Sequence, residues 1–286
     1  MLRVGPRVFG AHDLAVMAIL NRTPDSFFDG GANVELGAAL DAASRAVDEG
    51  ADIVDIGGVR AGHGPTVEAA EELARVLPVV AAVRARFPQV AVSVDTWRAQ
   101  VASRVLAEGA DMINDTWAGI DPDLLGVAAE TGAALVCTHT GGLRPRTDPH
   151  RVHYDDVVAE VLLAVTRAAD RAVETGVRRD GILIDPTLDF GKNTWHSLEL
   201  ARRLDELVAT GWPVLVALSR KDFVGETLDL PPAERLEGTL AATAIAAWHG
   251  ARVFRAHDVR ATRRVLDMVA SIRGTRPPAV ARRGLA

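Results

Sequence analysis

The sequence predicts a single-domain (β/α)8 barrel, in which eight parallel strands alternate with eight helices. Short apolar runs alternate strictly with longer helical patterns, eight times along the 286 residues. No G-x-G-x-x-G follows the first strand, which disfavours the rival fold, an open doubly wound sheet. No linker divides the chain, so residues 1–275 are expected to form the barrel and residues 276–286 a flexible tail.

The predicted strands are rich in valine, isoleucine and leucine and apolar on both faces. This composition is typical of parallel strands covered on all sides. The eight strands are Leu14–Leu20, Asp52–Ile56, Val90–Val94, Met112–Ile113, Ala133–Cys137, Ile182–Ile184, Val214–Leu218 and Arg252–Phe254.

The predicted helices repeat apolar residues every three or four positions, as Leu36, Leu40, Ala43 and Val47 do in the first. Five of them end at a glycine, the usual left-handed stop. The helices are Leu36–Glu49, Val67–Arg86, Arg98–Glu108, Pro122–Glu130, Asp155–Thr175, Ser197–Ala209, Pro232–Trp248 and Val259–Ile272.

Composition excludes several classes of protein. Acidic residues number 38 against 32 basic ones, and no basic run stands out, which disfavours a nucleic-acid surface. No apolar stretch reaches about 18 residues, so no membrane span is expected. The one cysteine, Cys137, lies in an apolar run, which excludes a disulfide framework and fits a reducing cytoplasm.

Polar residues follow the predicted strands at their carboxyl ends, where (β/α)8 barrels carry their chemistry. Each has a plainer interpretation: Asp95 as a helix cap, Asp185 as part of a turn, and His139 as a core histidine bonded to backbone. Because polar residues occur at the same position in successive strand–helix repeats, a functional site is favoured over these separate explanations. These residues are Asn21, Asp55, Asp95, Asn114, Asp115, His139, Asp185, Lys221, Arg255 and His257.

The acidic and amide members suit a donor-rich ring. Asp95 and Asp185 can each accept two hydrogen bonds from an amino-pyrimidine edge, and Asn114 supplies one donor and one acceptor. The sequence therefore predicts a heterocycle subsite at these three residues.

The cationic members suit an anion. We expect Lys221, Arg255 and His257 on the opposite arc of the barrel mouth, where they would bind a phosphate or diphosphate. If a metal binds, oxygen ligands and a diphosphate indicate Mg2+, with Asn21 nearest.

Seven stretches resemble dihydropteroate synthase, the folate-pathway transferase, over nearly the whole chain from Leu14 to about Ile272. The resemblance implies a reaction between a hydroxymethyl dihydropterin diphosphate and p-aminobenzoate that releases diphosphate. The stretches are NRTPDSFFDGG from Asn21, DIGG from Asp55, SVDTWRAQVA from Ser93, MIND from Met112, Asp185 to Lys192, SRK from Ser219 and RAHDV from Arg255.

The resemblance also implies roles for individual residues. Asn21 would hold Mg2+ and diphosphate, and the Ala-rich helix Gly238–Trp248 offers a small, flat face for a homodimer. The catalytic residues would be Lys221, Arg255 and His257. The substrate-binding residues would be Asp95, Asn114, Asp185, Phe190, Lys221, Arg255 and His257.

The sequence departs from the family pattern where the amine should bind. After the DIGG stretch the family continues Glu-Ser-Thr-Arg-Pro-Gly, whereas this chain reads Val-Arg-Ala-Gly-His-Gly, with Arg60 the one candidate substitute for the arginine. After Ser-Arg-Lys the family has a serine that helps bind the amine's carboxylate, and here Asp222 stands instead. Its like charge opposes that carboxylate by roughly 1 kcal/mol near solvent.

Other departures lie around the pterin. Family glycines become Thr187, Asp189 and Ala217, and a family Met-His-Met becomes Thr138-His139-Thr140. Side chains at glycine positions fill space that a ligand needs.

Three hypotheses follow. The chain is a working synthase with unusual loops, or a divergent paralogue with little or no activity, or a pterin-dependent methyl-transfer barrel. The departures favour the paralogue for the standard substrates. The Asn-x-Thr-Pro-Asp-Ser-Phe and Ser-Arg-Lys stretches favour the synthase branch over methyl transfer.

Overall fold

Eight parallel strands form the centre of the molecule in a computed structural model that describes residues 1–21, 36–60, 62, 64–146 and 153–283. Each observed strand lies within two residues of its predicted bounds. The strands are β3 (Ala15–Asn21), β4 (Ile53–Gly57), β5 (Ala91–Asp95), β6 (Met112–Asp115), β7 (Ala134–Thr138), β8 (Ile182–Asp185), β9 (Leu215–Ala217) and β10 (Val253–Ala256).

The sheet closes on itself. Its hydrogen-bonded order is β8-β7-β6-β5-β4-β3-β10-β9, and a parallel bridge between Ile184 and Val214 joins the two ends. The predicted (β/α)8 barrel is therefore confirmed, and the doubly wound alternative is wrong.

Helices surround the barrel, and every helix predicted from periodicity is present. They are α1 (Leu36–Asp48), α2 (Ala69–Arg86), α3 (Ala99–Ala107), α4 (Leu124–Thr131), α5 (Val157–Thr175), α6 (Thr194–Arg202), α7 (Leu204–Val208), α8 (Asp222–Leu228), α9 (Leu236–His249) and α10 (Val259–Ile272). Within the described ranges, no helix has the length and apolarity that a bilayer crossing needs.

Two helix predictions were wrong in detail. The single helix expected over Ser197–Ala209 is broken at Arg203, whose guanidinium bonds acidic side chains of both α6 and α7. The helix expected from Pro232 begins as a short 3-10 turn, and α9 starts only at Leu236. The seven-residue α8 was not predicted, since it is too short to show a helical period.

A hairpin that the sequence did not predict covers the amino-terminal end of the barrel. Its strands, β1 (Leu2–Val4) and β2 (Arg7–Phe9), pair antiparallel. Leu2, Val4 and Phe9 are buried in one cluster with the inward-facing residues of the barrel strands. The lower half of the barrel is therefore a dry, filled core.

The inward face changes character along the strands. Near their amino ends the inward residues are apolar, as Ile53, Met112 and Leu183 are. Because side chains alternate with a period of two, the next inward position lies two residues further along. There the residues are polar: Asp55, Ser93, Asn114, Asp185 and Arg255. The strands thus build a polar chamber above an apolar floor, at the end where (β/α)8 barrels place their sites.

Candidate active site

Asp55 lies at the centre of the chamber with no exposed surface. Its Oδ1 accepts a hydrogen bond from Ser93 Oγ at 2.6 Å. Its Oδ2 accepts from Asn114 Nδ2 at 3.2 Å and from Arg255 Nε at 2.6 Å. Both oxygens are satisfied, as a buried carboxylate requires. The sequence placed Asp55 at a strand end but gave it no role, and its signal was an acid inside an apolar strand.

Arg255 joins this centre to Asp95. Its Nη2 donates to Asp95 Oδ2 at 3.0 Å, while Thr116 Oγ1 donates to Asp95 Oδ1 at 2.8 Å. The expectation that Arg255 lies on the arc opposite the carboxylates is therefore wrong. Its side chain points into the chamber from β10, and β3 alone separates β10 from β4, so it reaches both acids.

Burial sets the protonation chemistry of this pair. It raises the pKa of Asp95 to about 7, although the positive charge of Arg255 opposes the shift. Burial alone would lower the pKa of Arg255, but Asp55 and Asp95 outweigh it and the pKa is raised. Arg255 therefore stays charged while Asp95 titrates near neutral pH.

Asp185 lies across the chamber at the end of β8. Its Oδ1 accepts the backbone N–H of Thr187 at 2.7 Å, and burial raises its pKa. The following loop is tied down by the buried Lys192, which donates to the carbonyls of His139, Thr187 and Phe190. Asp185 is therefore held on a fixed turn.

An aromatic wall adjoins Asp185. Lys221 Nζ lies 4.5 Å from the centroid of the Phe190 ring and donates to the carbonyl of Leu188 at 2.6 Å. Trp117 packs edge-on against Phe190 with their centroids 5.6 Å apart. Burial lowers the pKa of Lys221, against the opposing charges of Asp189 and Asp185. This geometry suits a flat ring lying close to a cation.

The wall opens into a cavity of about 370 Å³ at the mouth of the barrel. Phe190, Lys221 and His257 line it together, as does Arg60 from the altered segment after β4. The backbone N–H of His257 donates to Ser219 Oγ at 3.2 Å. The volume fits a ligand of small-molecule size.

Asn21 ends β3 beside the carboxylates. It pairs in register with Gly57, which pairs in turn with Asp95. A carbon added at Gly57 would lie 3.6 Å from Asn21 Oδ1 and 3.7 Å from Asp95 Cβ. The rest of the motif that begins at Asn21, residues 22–31, lies outside the described residues.

His139, which the sequence offered as a core histidine bonded to backbone, is half-buried directly after β7. The ring Nδ1 is buried and has no hydrogen-bond partner in the part of the chain that the structure describes. Burial and the charge of Lys192 lower the His139 pKa to about 3. The ring is therefore neutral.

On the outer side of the mouth, the loop after β8 contacts the start of α8. Thr187 and Asp189 have φ angles of 52° and 71°, so both hold the left-handed conformation that favours glycine. Asp189 Oδ2 accepts the backbone N–H of Asp222 at 2.7 Å and that of Phe223 at 3.4 Å. Its Oδ1 bonds Ser197 Oγ at 3.2 Å. A carboxylate of the chain itself thus occupies the first N–H groups of α8.

Asp222 adds a second carboxylate to this side. Its side chain is 79% exposed, and its Oδ1 accepts from Arg235 Nη1 at 2.8 Å. Asp189 and Asp222 both line the mouth cavity. Both positions depart from the family pattern in the sequence, but the contact of Asp189 with α8 was not predicted.

The comparisons with known proteins agree with this geometry. The profile of a family described as "Pterin binding enzyme" matches residues 17–257. The chain belongs to the pterin-binding enzyme family. Its match begins within β3, includes the other seven strands of the barrel and ends at His257.

Relatives within the pterin-binding family fall into two groups. An "Inactive dihydropteroate synthase 2" from Mycobacterium leprae is 59% identical over 275 residues, which cover 95% of this chain and 94% of the relative. A dihydropteroate synthase from Escherichia coli is 41% identical over 255 residues, which cover 89% and 90%. The resemblance to dihydropteroate synthase is confirmed, and so is its divergent character.

Solved structures of the family share the fold. A Yersinia pestis dihydropteroate synthase with a sulfonamide drug superposes with a TM-score of 0.90 at 37% identity, covering 96% of this chain and 99% of that one. A Xanthomonas albilineans dihydropteroate synthase with 4-aminobenzoic acid gives a TM-score of 0.84 at 38% identity, covering 94% of each.

Proposed function

We propose that the chain binds a dihydropterin in the polar chamber and turns over p-aminobenzoate weakly or not at all. The observation that carries this proposal is Asp189, whose carboxylate occupies the first N–H groups of α8 beside Asp222. By family resemblance, the amine's carboxylate would bind at this place. The hypothesis of a fully working synthase is disfavoured on the same ground.

The pterin would be bound by groups already arranged for it. Asp95, Asn114 and Asp185 would accept and donate along its polar edge. Phe190 would cover one face of the ring and Lys221 would polarise it. The desolvated chamber strengthens each of these interactions.

Departure of diphosphate would depend on positive charge at the rim. In the family reaction, the amine nitrogen attacks the pterin methylene carbon, the carbon–oxygen bond to diphosphate breaks, and the amine loses a proton. Arg255 and His257 would stabilise the charge on the leaving oxygens, with no covalent intermediate. Arg255 would serve through the N–H groups that Asp55 and Asp95 do not use.

We also propose that Mg2+ accompanies the diphosphate. Asn21 offers one amide oxygen beside Asp95, a hard ligand of the kind that Mg2+ accepts. The described residues hold no group of three or more acidic, histidine or cysteine ligands. The donor set therefore fits a Mg2+ ion held mainly by the diphosphate and water, which would supply additional charge neutralisation.

A calorimetric titration tests the proposal. Pterin diphosphate with Mg2+ is added first, and p-aminobenzoate second, with product formation followed in parallel. We expect saturable pterin binding and little turnover. The variant Asp185→Asn should lose the heat of pterin binding. Turnover at the rate of the Escherichia coli synthase, measured alongside, would contradict the proposal.

We further propose a cytoplasmic homodimer. Apolar side chains on two neighbouring helices support it: Ile245 and Trp248 of α9 are 52% and 55% exposed, and Met268 and Ile272 of α10 are each 61% exposed. Such a face is favourable to cover. Sedimentation of the purified chain would measure its mass, and a monomer at micromolar concentration would contradict the dimer.

A further inference from the structure

A second cavity lies at the opposite, amino-terminal end of the barrel. It has a volume of about 570 Å³ and is bordered by the residues that precede β3, β8, β9 and β10. Three arginines line it: Arg179, Arg252 and Arg273. Trp212, whose exposed fraction is 6%, forms part of the wall. Nothing in the pterin chemistry uses this end of the molecule.

These three arginines form no direct ion pair within the described part of the chain, although the charge of Asp13 acts on Arg252. Among the described residues, none of them makes an ion pair with a carboxylate. The one acid that lines the cavity, Asp180, pairs instead with Arg3 and Arg178, at 3.7 Å in each case. Among the described residues, the lining therefore carries more positive than negative charge, with Asp180 in the wall and Asp13 near Arg252 compensating part of it.

A neighbouring cavity of about 700 Å³ shows the contrast. Arg263 there lies 3.2 Å from Asp52, and Arg276 lies 3.2 Å from Asp267. Arg7 also pairs with Asp52. These arginines of the neighbouring cavity are thus neutralised, whereas the three around the 570 Å³ cavity form no direct ion pair with a described residue.

Arg252 is half-buried, whereas Arg179 and Arg273 are exposed. Burial lowers the pKa of Arg252, although the negative charge of Asp13 opposes the shift, and its hydrogen bonds go to two backbone carbonyls, those of Asp13 at 3.0 Å and of Gly10. A half-buried guanidinium without a directly bonded counter-ion is unfavourable, because carbonyl dipoles replace only part of its hydration. An anion in the cavity would offset that cost.

The other two guanidinium groups are held in place. Arg179 stacks over Trp212 with its central carbon 4.0 Å from the ring centroid. Arg273 donates one N–H to the carbonyl of Ala247 at 2.8 Å. Both groups keep further N–H donors, so they are arranged before any ligand arrives.

We propose that this cavity binds a small phosphate-bearing anion, at a site separate from the pterin chamber. Three planar donor forks suit the several oxygens of a phosphate or diphosphate group. The volume lies in the range of small-molecule sites. The proposal is independent of what the chamber at the other end binds.

Indole N–H signals in a 15N NMR spectrum can test the two ends separately. Trp212 reports on this cavity and Trp117 on the mouth, each assigned from its phenylalanine variant. Inorganic diphosphate is the probe, and citrate distinguishes a phosphate site from a general carboxylate site. We expect the Trp212 signal to move saturably with diphosphate and to move less with citrate at equal charge.

Variants locate the effect. Arg179→Met and Arg273→Met should each weaken diphosphate binding at Trp212 about tenfold and leave the Trp117 response unchanged. Arg276→Met, which removes an arginine of the neighbouring cavity, should leave the Trp212 response unchanged. Melting temperatures would show that each variant is folded.

Three results would overturn the proposal. The first is a Trp212 indole signal that does not move when diphosphate is added. The second is an equal loss in all three variants, since that would indicate diffuse surface charge. The third is an equal response to citrate, since that would indicate a site without preference for phosphate.

Discussion

The two sides of the barrel mouth follow different physical rules. On the deep side, Arg255 bonds both Asp55, which is fully buried, and Asp95, which is 14% exposed, so each residue depends on the rest. On the outer side, Asp189 and Asp222 cap and flank a short helix near solvent. Changes on the outer side therefore cost little stability, whereas changes on the deep side are strongly constrained.

This difference explains how a family member can keep one ligand site and lose another. The pterin groups are part of the barrel's internal bonding, so substituting them would leave buried charges unpaired. The amine groups lie on loops, where substitutions are tolerated. Four predictions test this contrast, from the largest expected effect to the smallest.

Asp55→Asn should lower the free energy of unfolding by about 3–5 kcal/mol, because Arg255 then keeps only one buried carboxylate partner. Urea denaturation of the variant and the parent chain measures the loss. A loss below about 1 kcal/mol would mean that the deep side is no more coupled than the surface.

Asp95→Asn should change how stability depends on pH. The folded pKa of about 7 exceeds the unfolded value near 4, so between these pH values the folded state holds a proton that the unfolded state releases. Stability of the parent relative to the variant therefore falls as pH rises through this window, by up to about 1.4 kcal/mol per pH unit, and levels off above pH 7. Urea midpoints from pH 5 to 8 give the slope. Parallel curves for the two proteins would show that Asp95 is not protonated in the folded chain.

Asp189→Gly combined with Asp222→Ser should strengthen p-aminobenzoate binding about tenfold in the presence of pterin diphosphate. The reason is that the N–H groups of α8 are released and a like charge is removed. Calorimetry measures the affinity. Thr187→Gly is the matched control, because it relaxes the same kind of backbone conformation without a contact to α8. Equal gains in both variants would point to loop relaxation instead.

Asp222→Asn alone should lower the free energy of unfolding by less than about 1 kcal/mol, since Asp222 is 79% exposed. Arg235, which is 11% exposed, keeps its hydrogen bonds to the carbonyls of Leu230 and Arg220. Urea denaturation under the conditions used for Asp55→Asn gives a direct comparison. A loss as large as that of Asp55→Asn would remove the contrast between the two sides.

Sequence reasoning succeeded where information is local. The strand at Asp52–Ile56 was placed within one residue, because a short apolar run is visible in any window. The polar positions Asp95, Asn114 and Asp185 were found because they follow such runs. The hairpin at Leu2–Phe9 was missed, since three-residue strands carry no period.

Contacts between residues that are distant in the sequence could not be predicted from it. Arg255 was expected to face the carboxylates from across the mouth, and instead bonds two of them over 200 and 160 residues of sequence. The contact between Asp189 and the amino terminus of α8 spans 33 residues and depends on a left-handed turn at a non-glycine residue. Neither contact produces a periodic pattern in the sequence, so neither can be predicted from a short window of residues.

The sequence by itself determined the alternation of strands and helices, the closed barrel and the end at which its polar residues gather. Each of these follows from hydrophobic periodicity and from the geometry of parallel strands. Only the tertiary structure decided which charges neutralise each other, which donors of α8 are occupied, and which described arginines at the far end form no direct ion pair. Those outcomes depend on distances of a few ångströms between distant residues, because electrostatic energy changes steeply over that range in a buried site.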